Sequence, residues 1–94
     1  MKNTLDIIFD YGVLESIIYK ENDKEIDILE KISDYLVEEL ETMFWEKNPI
    51  SFAKLFPHKL REEIDTTGMF NCLDMFVKEG GTKYSFRYRG KKII

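Results

Sequence analysis

Leu5, Ile7, Phe9 and Tyr11 alternate with Asp6, Asp10 and Gly12, the two-residue period of a strand with one buried face. Val13 to Tyr19 is rich in β-branched residues and reads as the return strand of a hairpin about Tyr11-Gly12. A helix from Thr4 is the alternative, but its apolar residues would spread round the whole circumference, which favours strands. A helical period follows. Ile26, Leu29, Ile32, Leu36, Leu40 and Met43 fall on one side of a helical wheel. Asn22 and Glu25 have the spacing of a capping pair, and Asn48-Pro49 ends the pattern. Together these predict one long amphipathic helix over 24–47. Ser51 to Phe56 fits a turn or two of helix, and Pro57, as a first-turn residue, opens a short helix towards Asp65.

The chain ends in a second hairpin pattern, with strands over 69–78 and 82–89. With Gly80-Gly81 as the turn, Val77 faces Tyr84, Met75 faces Phe86 and Leu73 faces Tyr88 on one side. Phe76 faces Ser85, Asp74 faces Arg87 and Cys72 faces Arg89 on the other. Lys78 opposite Lys83 is a small cost of this register. The predicted architecture is α+β: a small antiparallel sheet of N-terminal strands and the C-terminal hairpin, packed against the long helix and one or two short ones.

Ninety-four residues make a single domain with room for one core. An apolar fraction of 44%, with 13 aromatic residues among it, is well above what a disordered chain carries. Cys72 is the only cysteine, so no intramolecular disulfide forms. With no basic-then-apolar leader, this points to the cytoplasm. No apolar run is long enough to span a membrane.

Charge is divided unevenly. Residues 1–82 carry 9 basic and 18 acidic side chains, whereas 83–94 carry 5 basic and none acidic, for a net −4. On the expected long helix, Asp23, Asp27, Glu30, Asp34, Glu38 and Glu41 form a stripe with no interspersed lysine or arginine. Like charges four residues apart weaken a helix by a few tenths of a kcal/mol each, so a face tuned only for stability would mix signs. The stripe is either a solvated helix surface or a docking face resembling the charge of nucleic acid. Trp45 falls within it, as a binding anchor or folded back on Ile50 or Phe52. Lys83, Arg87 and Arg89 share one side of the last strand, and Lys91 and Lys92 follow. They are a candidate phosphate-tracking surface or a charged guard on a sheet edge.

Nothing in the sequence points to catalysis. His58 and Cys72 stand singly, too few for a zinc site, and no cofactor is implied. Glu62, Glu63 and Asp65 read as decoration on a short helix. The expectation is therefore a non-enzymatic protein-binding module, an acidic inhibitor or regulator of the phage or immunity type. It would dock on a basic, nucleic-acid-handling protein through Asp27, Glu30, Asp34, Glu38, Glu41 and Trp45. The alternatives are direct nucleic-acid binding by Lys83, Arg87, Arg89, Lys91 and Lys92, and a subunit of a homo-oligomer.

Overall fold

A computed structural model describes residues 3–61 and 70–92, with side chains for 3–60 and 74–91. Glu62, Glu63, Asp65, Ile93 and Ile94 lie outside the described residues. Strand β1 (Asn3–Asp10) turns into β2 (Val13–Glu21), which turns into the short β3 (Lys24–Asp27). A single 3-10 turn, Leu29–Lys31, leads into helix α1 (Asp34–Glu46) and then α2 (Pro49–Arg61). Strands β4 (Phe70–Gly80) and β5 (Lys83–Lys92) close the chain. The five strands form one antiparallel sheet in the order β3-β2-β1-β5-β4, and both helices cover one side of it.

The first hairpin forms where the alternation places it. Tyr11 and Gly12 both take positive φ, 53° and 76°, the two-residue turn whose twist matches the flanking strands. The Tyr11 N–H donates to the Thr82 carbonyl at 3.0 Å, tying this turn to the tip of the other hairpin. Ile8 pairs with Ser16 but Phe9 pairs with Leu14, so Glu15 is an extra residue in β2, a bulge.

The long helix over 24–47 is shortened at its start by ten residues. Asn22, with φ 55°, and Asp23 form a hairpin turn, and 24–27 pair with β2 as an edge strand. Asn and Asp suit turns for the same reason they suit caps: their short side chains satisfy nearby backbone groups. Ile28, fully buried, donates its N–H to the Ile17 carbonyl at 2.9 Å and anchors the chain on β2. The helix starts instead at Ser33, whose hydroxyl accepts the Leu36 N–H at 3.1 Å.

The middle of the chain also differs from expectation. α2 is one continuous helix with Pro49 in its first turn, capped by Asn48, whose side chain accepts the Ser51 N–H at 2.8 Å. Pro57 lies inside this helix rather than at a start. A proline there has no N–H for the carbonyl four residues back, which belongs to Ala53. The buried Tyr88 hydroxyl donates to that carbonyl from β5. Each group satisfies the other.

The C-terminal hairpin turns at Gly81-Thr82, with positive φ only at Gly81 (61°), and its register moves by two residues. Val77 faces Phe86, Met75 faces Tyr88 and Asp74 faces Arg89. A two-residue shift leaves the side chains of 74–78 and 83–89 on their expected faces, and the side chain of Leu73, expected opposite Tyr88, lies outside the described residues. It also separates Lys78 from Lys83, which now face Ser85 and Gly80. Cys72 faces Gly90 rather than Arg89, beyond an irregularity between Cys72 and Asp74.

Aromatic rings join the layers. Phe9 stacks on Phe44 of α1 with centroids 4.4 Å apart, and meets Phe52 of α2 edge-on at 5.2 Å. Around them, Leu5, Ile7, Ile17, Leu40, Phe56, Leu60 and Phe86 are all buried to 1% exposure or less.

Candidate functional site

α1 places two opposed surfaces on one helix. Leu36, Leu40 and Met43 are buried against the sheet. Asp34, Tyr35, Glu38, Thr42, Trp45 and Glu46 are exposed on the outer side. The helix carries five carboxylates and no cation, and no basic residue lies in its last turn.

The expected acidic comb is divided by the fold. Asp34, Glu38 and Glu41 lie on α1, but Asp27 ends β3 and Glu30 lies in the 3-10 turn, because the chain before Ser33 is not helical with α1. The Asp27 carboxylate accepts the Leu29 N–H at 3.0 Å, a local turn bond. Glu41 faces the sheet, where it accepts the Leu14 N–H at 2.8 Å beside the β2 bulge. Its role is thus partly architectural. Glu39 pairs with Lys59 of α2 at 2.6 Å. Glu38 and Glu46 remain on the outer face, with Tyr35 between Asp34 and Glu38.

Tyr35, which pattern reading missed, is 76% exposed and borders a shallow hollow of about 390 Å³ with Glu38, Glu39, Thr42, Met43 and Glu46. Its signal was its place in the sequence: an aromatic residue off the apolar stripe, directly after Asp34 and three residues before Glu38.

Trp45 is 71% exposed, and its indole lies against Gly12 of the first hairpin. A Cβ added to Gly12 would lie 2.2 Å from the Trp45 ring, so only glycine lets the indole rest there. Phe44, beside it, turns inward to Phe9 and meets Trp45 edge-on at 6.1 Å. A second hollow of about 360 Å³ lies here, bordered by Tyr11, Trp45, Lys47, Glu79, Thr82 and Tyr84. The Tyr84 phenol is held above its ordinary pKa, chiefly because Glu79 accepts its hydrogen bond and secondarily through desolvation.

Lys83, Arg87, Arg89 and Lys91 of β5 occupy the sheet face away from the helices. Arg87 donates to both carboxylate oxygens of Asp6, at 2.6 and 3.3 Å, and this bond holds the guanidinium pKa above its usual value. Arg89 pairs with Asp74 at 3.0 Å and lies 4.5 Å over the Phe76 ring. Lys83 faces Asp10 of β1, and Lys91 is exposed opposite Asn71. Lys92 pairs with Phe70 in the backbone ladder. The two arginines thus already have carboxylate partners. His58 is exposed on α2. Among the described residues no three His, Cys, Asp or Glu side chains gather as metal ligands, and no helix is long and apolar enough to cross a membrane.

Comparison with protein-family models, curated proteins and solved structures gives no match. The functional reading therefore rests on the geometry of this chain.

Proposed function

We propose that this protein is a non-enzymatic protein-binding module that docks on a basic partner through the outer side of α1. The observation that carries the reading is the company Tyr35 and Trp45 keep. Two largely exposed aromatics stand ten residues apart, about 15 Å along the helix, with Asp34, Glu38 and Glu46 around them and no cation on α1. Aromatic side chains supply large contact areas at low entropic cost, and the carboxylates supply steering and register against arginine or lysine. Trp45 is already seated on Gly12, so little of its freedom is lost on binding. A face of carboxylates and aromatics suits arginine- and lysine-rich partners, of which nucleic-acid-handling proteins are the class proposed. Arg87 and Arg89, engaged by Asp6 and Asp74, make direct nucleic-acid binding the weaker reading.

The test has two arms. Fluorescence anisotropy against labelled single- and double-stranded DNA and RNA across a salt series is expected to show no binding. Salt-dependent binding lost with Arg87→Ser and Arg89→Ser would overturn the reading. In the second arm, a photo-crosslinking residue replaces Tyr35, and adducts from source-cell extract are identified by mass spectrometry. The expected adducts form with a basic protein and disappear when Asp34, Glu38 and Glu46 are changed together to lysine. Adducts that survive that triple change would sink the acidic docking face.

A further inference from the structure

The two edges of the sheet are unequal. β3 is a four-residue strand bearing Lys24, Glu25 and Asp27, the short, charged kind of edge that resists pairing with other chains. β4, the opposite edge, is eleven residues long. It presents Phe76, 48% exposed, on the face away from the helices, and half-buried Met75 and Val77 on the helix side.

The hairpin turn determines which backbone groups of β4 face outward. Gly80 and Lys83 flank a two-residue turn, so they exchange hydrogen bonds. By alternation, Lys78, Phe76 and Asp74 direct their N–H and C=O groups to β5, while Glu79, Val77 and Met75 direct theirs away from the sheet. A second strand laid antiparallel along this edge must pair these outward residues with one another.

We propose that β4 pairs antiparallel with β4 of a second copy, centred on Phe76. In that register Met75 of each chain exchanges backbone hydrogen bonds with Val77 of the other. Asp74 of each chain stands opposite Lys78 of the other, and the two Phe76 rings stand opposite each other between those ion pairs. These are non-hydrogen-bonded positions, where Cα atoms approach to about 4.5 Å and side-chain pairing is strongest. Centring the pair one residue earlier sets Asp74 against Phe76, and one residue later sets Lys78 against Phe76. Among these three registers, only the one about Phe76 matches charge with charge and ring with ring. The dyad stands perpendicular to the sheet, so both helical layers lie on one side of a ten-stranded sheet, and Met75 and Val77 gain apolar neighbours there. Asp74 keeps Arg89 beside it, and Lys78 of the second copy completes a three-charge row. This assembly is independent of the α1 docking face.

Sedimentation equilibrium over a concentration series is expected to show a mass rising from 11.2 kDa to twice that value. Asp74→Lys alone and Lys78→Asp alone each place like charges at both ion pairs, and each is expected to weaken the dimer about tenfold or more. Mixing the two single variants restores the dimer as a heterodimer, because every opposed pair again has opposite signs. The double variant restores a homodimer. Far-UV circular dichroism on each variant checks that the fold is retained. A wild-type chain that stays monomeric throughout overturns the proposal. So does a dimer indifferent to the single changes, or a mixture that fails to reassociate. Phe76→Cys with Cys72→Ser tests the register directly: it is expected to form a covalent dimer on mild oxidation, and failure in a sample that sediments as dimer rejects the centre at Phe76.

Discussion

α1 and α2 are both thirteen residues long and rest on the same sheet face, yet they solve their electrostatics in opposite ways. α2 carries Lys54, Lys59 and Arg61 and no acid, and its cations run towards the C-terminal end, where the helix dipole favours positive charge. α1 carries five acids and no base, and Glu46 occupies the end where negative charge is disfavoured. One of its carboxylates is used by Lys59 and another by the Leu14 N–H, and Asp34 lies in the first turn, where the dipole favours it; Glu38 and Glu46 stand on the exposed side without such a role. The comparison separates charge that serves the fold from charge that works against it. Only α1 retains the second kind, and it does so beside Tyr35 and Trp45.

α2 has its own unfavourable feature, Pro57, and there the fold supplies a remedy. The largest effect should come from removing it. Tyr88→Phe strands the Ala53 carbonyl in the core and is expected to cost about 1–3 kcal/mol in chemical denaturation. Adding Pro57→Ala restores a backbone donor for that carbonyl and should recover much of the loss. If the two changes are additive, the Tyr88 hydroxyl is not the replacement for the missing helical bond.

On the α1 side, Gly12→Ala tests whether Trp45 is seated. The new Cβ collides with the indole, and φ of 76° is strained for alanine, so a loss of about 1–2 kcal/mol is expected. Trp45 is the only tryptophan, and its emission should change as the ring is expelled from the turn. Unchanged emission would show that the ring does not rest on Gly12.

The smallest effect sharpens the comparison most. Glu46→Lys should stabilise the protein by about 0.3–1 kcal/mol, because a cation replaces an anion at the C-terminal end of α1. Any partner engaged through α1 should at the same time bind less well. A destabilised Glu46→Lys would mean that the carboxylate serves the fold, and the contrast between the helices would lose its meaning.

Much of this was legible in residue order. Alternation in 5–11 and around Tyr84, Phe86 and Tyr88 set the strands and their buried faces, because a two-residue period admits one assignment of faces. That is why the register of the last hairpin could move by two residues while Met75, Val77, Tyr84, Phe86 and Tyr88 kept to the helix side. Asp34 and Glu38 were legible as exposed acids, since they interrupt no apolar pattern, whereas the pattern left the seat of Trp45 open. Ile28 and Ser33 were the signals passed over. An isoleucine off the stripe and a serine before Asp34 mark the real start of α1, and with it the division of the acidic comb.

The sequence by itself determined the α+β class, the Tyr11-Gly12 turn of the first hairpin and the partition of apolar from charged faces in the strands, all of which follow from spacing along the chain. Tertiary structure alone decided that 24–27 join β2, since hydrogen bonds from a neighbouring strand outweigh a weak local helical preference. It alone kept α2 whole through Pro57, because the donor that satisfies Ala53 comes from a residue 35 positions away. It also paired Arg87 with Asp6 and rested Trp45 on Gly12, contacts between segments that only folding brings together.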